Sequence, residues 1–149
     1  ELVDSLQDII WVLNPANDTL ESLAAYLREY TLKFVEPFSL ETFFDYPEHF
    51  AAIQLSEEKR RNVFLTVKES LHNIARHAHA TRIDISISEE PGVFTLLIRD
   101  NGQGFDTANI RVFGNGLKNM ESRISQAGGI YQISSAPGKG TLTSIRMPV

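Results

Sequence analysis

KESLHNIARHA, residues 68–78, is the C-terminal part of the longest helix that the sequence predicts. Ser56 can cap this helix, acidic residues follow in its first turn, and the helical pattern ends near His77. At about 100° per residue, its apolar side chains cluster on one side, which must face a sheet. These side chains are Val63, Val67, Leu71, Ile74 and Ala78. Glu69 and Asn73 share a stripe at the edge of that core, where a cleft can form.

The stripe has the chemistry of a metal and phosphate site. The carbonyl oxygen of Asn73 is a hard, neutral ligand that suits Mg²⁺, and Glu69 can accept a proton or position an attacking group. The alternative is that both are solvated helix residues, which is the commoner outcome for one Glu-x-x-x-Asn pair. Arg76 suits a phosphate contact or an ordinary surface charge, and His77 suits the negative end of the helix dipole.

A second polar box, Asp100-Asn101-Gly102-Gln103-Gly104-Phe105, follows a predicted strand. An ionised carboxylate only accepts hydrogen bonds, so Asp100 in a pocket would select the amino group of adenine over the carbonyl of guanine. Gly102 and Gly104 would let the backbone approach a flat base. A simple tight turn is the alternative, because Asp-Asn-Gly is a common turn sequence. A calcium loop fits less well, because the acidic spacing is missing.

A third box, Gly114-Asn115-Gly116-Leu117, places glycines immediately before a predicted helix. Free backbone N–H groups and the positive end of the helix dipole form an anion site there. The box is neither a P-loop nor a dinucleotide fingerprint, since it lacks their spacing. A helix-opening loop without a ligand is the alternative. Thr141 could lend a hydroxyl to the base, although a strand threonine is usually structural.

The composition is that of one globular domain. A net charge of −5 does not provide the basic surface that nucleic-acid binding needs. The chain has no cysteine, which excludes disulfides, thiolate metal sites and cysteine nucleophiles. No apolar run approaches the roughly 18 residues of a membrane span, so we expect no direct membrane contact. The chain starts at Glu1, without an initiator methionine, and we therefore expect it to be part of a longer protein.

The remaining elements predict a two-layer α/β sandwich. A helix ends at Leu13, a second helix capped by Asp18 runs to Phe34, and a short strand is expected near residues 38–44. Two β-rich runs, 83–87 and 94–98, flank a turn and predict a hairpin. A helix at 117–127 and two strands, 130–134 and 141–147, complete the chain. Mostly antiparallel strands with long helices between them favour a mixed sheet covered on one face. The polar stretch 106–113 stands where a lid would lie.

Taken in order, the boxes closely resemble the ATP-binding catalytic domain of sensor histidine kinases. These kinases share the Bergerat fold with gyrase B, Hsp90 and MutL ATPases. The resemblance runs from about Ser56 to Val149, and residues 68–77 and 116–120 are similar to the NarL-type branch. Residues 8–15 resemble the end of that branch's dimerisation hairpin. The resemblance therefore implies two parts, the end of a hairpin at 1–15 and the catalytic domain at 16–149.

The resemblance also implies roles for the boxes. Asn73 would be the magnesium ligand, Asp100 the adenine reader, and Glu69 the catalytic or nucleophile-orienting acid. Gly102 and Gly104 would lie on the base side, with Gly114 and Gly116 on the phosphate side. The expected ATP-binding set is completed by Arg76, His77, Phe105, Asn115, Leu117 and Thr141.

The phosphoacceptor histidine of such kinases is missing from this sequence. None of His49, His72, His77 or His79 stands in the acidic context that the family uses. We therefore expect γ-phosphoryl transfer from Mg·ATP to a histidine domain elsewhere in the same, homodimeric protein, and then to a response regulator. A cytoplasmic location is expected, with the inner membrane as an anchor for the parent. A regulatory module that binds ATP or ADP without turnover is an alternative, as is an anti-sigma-type protein-serine kinase.

Overall fold

The computed structural model describes residues 2–108 and 115–149. The α-helices are α1 Leu2–Leu13, α2 Leu20–Val35, α3 Glu57–Asn73 and α4 Gly116–Gln126. The strands are β1 Glu41–Asp45, β2 Arg82–Glu90, β3 Val93–Asp100, β4 Ile130–Ser135 and β5 Thr141–Pro148. A π-helical turn, Ile74–Ala78, continues α3, and short 3₁₀ turns cover Pro15–Asn17 and Glu36–Phe38.

The five strands form one mixed sheet in the order β1-β2-β3-β5-β4. The β1 and β2 strands are parallel, and each remaining neighbouring pair is antiparallel. The predicted hairpin is confirmed, because Glu90 pairs with Val93 across a turn in which Gly92 has a φ of +79°. The mixed, mostly antiparallel sheet with helices confirms the predicted α/β fold class.

The core lies between one face of the sheet and the helices. Alternate residues of β2 and β3 point towards α3, and each is at most 3% exposed. These residues are Ile83, Ile85, Ile87, Phe94, Leu96 and Ile98. The apolar side of α3 is buried against them, with Val63, Val67 and Leu71 at 0% exposure. The helical phase predicted from the sequence is therefore confirmed, and Asn73 lies at the edge of this core.

Two predicted boundaries were wrong in detail. Thr19, and not Asp18, caps α2, since its hydroxyl accepts a hydrogen bond from the Ser22 N–H at 3.1 Å. Thr19 also forms a β-bridge with Gln54, which holds it in the extended conformation that a cap residue needs. The first strand begins later than predicted, at Glu41, because residues before it form a 3₁₀ turn and Ser39 adopts a φ of +55°.

The α1 helix is attached to the body of the domain by polar contacts and ring stacking. The Arg60 guanidinium is buried and donates to the carbonyls of Leu55 at 2.6 Å and Val12 at 2.7 Å. Trp11 stacks on Tyr26 with ring centroids 4.3 Å apart, and the Tyr26 hydroxyl donates to Asp8. The opposite side of α1 exposes four large apolar side chains: Leu6, Ile9, Ile10 and Leu13.

The C-terminal helix has the predicted extent to within one residue at each end. The α4 helix ends at Gln126, where Gly128 adopts a φ of +91° and the Gly129 N–H donates to the Ile124 carbonyl. This is the glycine-dependent ending that the sequence indicates. In the described ranges, every helix falls short of the length or hydropathy that crossing a membrane requires.

Candidate functional site

A cavity of about 160 Å³ opens where the end of α3, the start of α4 and the ends of three strands meet. It is smaller than the roughly 300–1,000 Å³ of a typical ligand pocket. The volume therefore suits a flat base better than a whole nucleotide. The lining residues are Ser70, Asn73, Ile74, His77, Ala78, Asp100, Gln103, Gly104, Phe105, Leu117, Met120, Tyr131, Ile133, Thr141 and Thr143.

Asp100 is the last residue of β3 and is 4% exposed. Its Oδ1 accepts a hydrogen bond from the Gly102 N–H at 2.8 Å. Burial raises the pKa of this carboxyl, whereas hydrogen bonds from the backbone of Gly102 and Thr141 oppose the rise. A buried acceptor on the wall of a cavity can receive a hydrogen bond from a ligand, and a ligand amino group suits it.

The two glycines after Asp100 allow close packing of the backbone. A Cβ atom on Gly102 would lie 2.4 Å from the Ala78 carbonyl oxygen, so this residue fits against the end of the π-helical turn. Gly104 has a φ of +65°, and a Cβ there would lie 2.1 Å from the Ala136 carbonyl oxygen. Only Gly104 of the two lines the cavity. The structure thus gives Gly102 a packing role that the sequence did not predict.

Gln103 joins the segments around the cavity. Its backbone N–H donates to the Ala78 carbonyl at 2.7 Å, and its side-chain amide donates to the His77 carbonyl. Its own carbonyl accepts from the Gly138 N–H at 2.6 Å. These bonds fix the turn after β3 to the end of α3 and to the β4–β5 turn. Gln103 also lines the cavity, a role that the sequence did not predict.

The predicted residues of α3 and of the π-helical turn that follows it separate into two groups. Asn73 and His77 line the cavity, one turn apart. Glu69 does not line it, but its Oε1 lies 3.1 Å from where a Cβ on Gly116 would be. Arg76 Nη2 lies 3.8 Å from Glu69 Oε1, so its guanidinium faces this carboxylate. Glu69 therefore lies next to the start of α4, and Arg76 lies beside Glu69.

The start of α4 contributes Leu117 to the cavity wall. Asn115 precedes the helix without a side-chain cap, and Gly116 begins it. The first N–H groups of α4 and the helix dipole provide the kind of end at which anions bind. Gly114 lies outside the described residues, as does the predicted lid stretch beyond residue 108.

Phe105 and Thr141 complete the predicted residues on the cavity wall. The Phe105 N–H donates to the Ser135 hydroxyl at 2.9 Å, and that hydroxyl lies 2.9 Å from the Thr141 hydroxyl. The cavity thus brings together seven predicted residues: Asn73, His77, Asp100, Gly104, Phe105, Leu117 and Thr141. Five predicted residues lie close by without lining it: Glu69, Arg76, Gly102, Asn115 and Gly116.

Several lining residues were missed, although the spacing of the sequence contains a signal for them. Ser70 precedes Ile74 by four residues on α3, and Met120 follows Leu117 by three on α4, so each pair shares a helix face. Tyr131 with Ile133, and Thr141 with Thr143, are separated by two residues in strands and therefore share a sheet face. Extending Leu117 along α4 and Thr141 along β5 would have found Met120 and Thr143. No site residue was predicted on β4, so Tyr131 and Ile133 could not have been found in this way.

The sequence matches one protein-family model over residues 58–149, that of the histidine kinase-, DNA gyrase B- and HSP90-like ATPases. The chain belongs to this family. All the residues that line the cavity lie within this match. It confirms the resemblance inferred from the three boxes and identifies the domain as one of the ATPases of this class.

Several relatives are sensor kinases. The sensor histidine kinase LiaS of Bacillus subtilis is 30% identical over 95 residues, covering 64% of this chain and 26% of that protein. The signal transduction histidine-protein kinase/phosphatase DegS of Brevibacillus brevis is 31% identical over 119 residues, covering 78% of this chain and 31% of that protein. The chain therefore spans about a quarter to a third of the length of these curated relatives.

Solved structures share the fold at low sequence identity. The histidine kinase domain of the blue-light activated histidine kinase of Erythrobacter litoralis aligns with a TM-score of 0.69 at 19% identity, covering 85% of this chain and 60% of that one. The histidine kinase AdeS of Acinetobacter baumannii aligns with a TM-score of 0.68 at 17% identity, covering 96% and 76%. These matches support the same architecture for the ATPase domain.

Proposed function

We propose that this chain is the ATP-binding catalytic domain of a sensor histidine kinase, which transfers the γ-phosphoryl group of Mg·ATP to a histidine outside these residues. The observation that carries the proposal is the meeting of Asn73, Asp100 and Leu117 at one cavity. These residues come from three distant boxes, and each box supplies a different chemistry. The family match and the names of the relatives support the same activity.

The base of ATP would occupy the cavity. The Asp100 carboxylate accepts a hydrogen bond from the exocyclic amino group of adenine and would face the carbonyl of guanine unfavourably. Gly104 gives the base access to the backbone on one side, and Leu117 supplies apolar contact on the other. The small volume of the cavity leaves the ribose and phosphates outside it, towards the start of α4.

The phosphates and the metal would lie between Asn73 and the N-terminus of α4. The amide oxygen of Asn73 is a suitable Mg²⁺ ligand, because Mg²⁺ prefers oxygen donors and takes others from water and phosphate. When bound, Mg²⁺ neutralises charge on the phosphate oxygens. Arg76 can turn from Glu69 towards the phosphates, because its side chain is 58% exposed and the two groups are 3.8 Å apart.

Glu69 would orient the attacking imidazole. Its carboxylate lies beside Gly116, next to the expected position of the γ-phosphate. One imidazole nitrogen forms the new bond to phosphorus while the bond from phosphorus to the β–γ bridging oxygen breaks, and ADP leaves. Glu69 accepts a hydrogen bond from the other ring nitrogen and holds the ring in line. Catalysis of this kind depends mainly on positioning and charge neutralisation.

Residues 1–15 would be the end of a dimerisation hairpin, and residues 16–149 the catalytic domain. The apolar side of α1, with Ile10 66% exposed and Leu13 57% exposed, supports this division. The partners would be the phosphoacceptor domain of a homodimeric parent and a response regulator. A cytoplasmic location for this domain stays a prediction.

Two substitutions test the site. Asn73→Asp and Asp100→Asn should each weaken binding of labelled ATP at least tenfold at constant side-chain size. The first adds a negative charge beside the triphosphate, and the second removes the charged acceptor for the base. Both variants should unfold cooperatively, as the wild type does. Asp45→Asn, at the exposed end of β1, makes the same charge change as Asp100→Asn but away from the cavity, and it should bind ATP normally.

Unchanged ATP affinity in both site variants would contradict the proposed site. A phosphotransfer assay with the full-length parent then separates a kinase from a module that only binds nucleotide. Transfer of label from ATP to a histidine of the parent, lost in Glu69→Gln, supports the kinase. Binding without transfer in the parent supports the regulatory module.

A further inference from the structure

One buried polar atom of the cavity wall has no hydrogen-bond partner among the residues that the structure describes. It is the hydroxyl oxygen of Tyr131, a β4 residue that is 8% exposed and faces the helices. Buried hydroxyl groups in native proteins nearly always have a partner, because leaving one unsatisfied costs free energy. The position of this oxygen therefore requires an explanation.

A bond within the protein does not provide that explanation. The Thr143 hydroxyl is close enough to oppose the rise in the pKa of Tyr131 that burial causes. The pair nevertheless does not meet the geometry of a hydrogen bond, so the Tyr131 oxygen has no partner among the described residues. A phenol is protonated at neutral pH, and burial raises the pKa of Tyr131 further. Tyr131 therefore offers a hydrogen-bond donor.

Strand pairing places Tyr131 and Asp100 at opposite ends of the cavity. Asp100 pairs with Thr141 on β5, whereas Tyr131 pairs with Ile145 on the same strand. Thr141 and Ile145 are four positions apart on β5. At about 3.3 Å per residue, the backbones of Asp100 and Tyr131 are therefore offset by roughly 13 Å along the strand direction. Tyr131 lines the cavity together with Thr143 and Leu117.

We propose that the Tyr131 hydroxyl is a second hydrogen-bonding group for the purine base, which it contacts directly or through one buried water. The proposal rests on the proposed function, since it takes the cavity to hold the base of ATP. Adenine presents an amino donor on one edge and ring-nitrogen acceptors around the rest. An acceptor at one end of the cavity, Asp100, and a donor at the other match that arrangement.

The test is Tyr131→Phe, which removes one oxygen and keeps the ring. We expect the dissociation constant for ATP to rise about five- to tenfold, the effect of one buried hydrogen bond. The melting temperature of the ligand-free chain should stay the same or rise, because an unsatisfied hydroxyl has been removed. The factor should be the same for ADP and in the absence of Mg²⁺, since the hydroxyl lies at the base end.

Tyr46→Phe is the matched control. The Tyr46 hydroxyl donates to the Ala24 carbonyl at 3.0 Å, away from the cavity, so its removal should lower the melting temperature and leave ATP affinity unchanged. Tyr131→Phe with wild-type affinity overturns the proposal, whether or not its melting temperature falls. A loss of affinity confined to Mg·ATP overturns it as well. Failure of the wild type to bind ATP would instead overturn the proposed function.

Discussion

Gly104→Ala should destabilise the domain much more than the same substitution at another glycine with positive φ. Two costs combine at Gly104. An alanine at a φ of +65° is strained, which costs about 1 kcal/mol. Its Cβ would also lie 2.1 Å from the Ala136 carbonyl oxygen and 2.9 Å from that of Gly140. Overpacking against backbone costs about 2 kcal/mol more.

Gly92→Ala isolates the first cost. Gly92 has a φ of +79°, and a Cβ there would meet nothing within 4 Å. We therefore expect a loss of about 3 kcal/mol in the free energy of unfolding for Gly104→Ala and about 1 kcal/mol for Gly92→Ala. For a chain of this size, the melting temperature should fall by about 6–12 °C and about 2–4 °C respectively.

Urea and thermal unfolding of the two variants provide the measurement. Equal losses would refute the reasoning, because they would mean that the β4–β5 turn moves away from residue 104 at no cost. ATP titration adds a second reading. Gly104 lines the cavity, so Gly104→Ala should also weaken binding, whereas Gly92→Ala should bind as the wild type does.

Two further predictions concern a buried cation and a buried acid. Arg60→Met should lower the free energy of unfolding, measured in urea, by about 2–3 kcal/mol, because two carbonyls lose a charged donor. The control, Arg61→Met at an exposed site, should lower it by less than about 0.5 kcal/mol. Burial raises the pKa of Asp100 in the folded protein above the 3.8 of an ordinary aspartate. The protonated carboxyl therefore favours the folded state fully at a pH below 3.8, and this contribution to the free energy of unfolding is lost as the pH rises through the raised pKa. Asp100→Asn should remove this component from a series of melting temperatures against pH, and an identical pH dependence in both proteins would count against it.

Local chemistry explains the parts of the fold that the sequence predicts. Ser56 caps α3 through a hydrogen bond from the Lys59 N–H at 3.2 Å, a bond that depends on neighbouring residues alone. Gly92 and Gly128 end their elements for the same local reason, a positive φ. The order of the three boxes added the functional prediction, because each box carries a separate chemistry.

Tertiary contacts explain what the sequence did not predict. The π-helical turn after Asn73 is held by bonds from Gln103, a residue distant in sequence. The same contact packs the backbone of Gly102 against Ala78 and leaves no room for a Cβ atom, which gives that glycine a packing role. Helical spacing placed Glu69 and Asn73 on one stripe, yet only Asn73 lines the cavity, because Glu69 lies against the start of α4.

The central claim is that three distant stretches surround one nucleotide, and amide chemical shifts during an ATP titration test it most directly. With Mg²⁺ present, the largest changes should fall in residues 73–78, 100–105, 115–117 and 141–143, and GTP at equal concentration should produce much smaller ones. Changes confined to α1 and α2, or equal responses to ATP and GTP, would contradict the account.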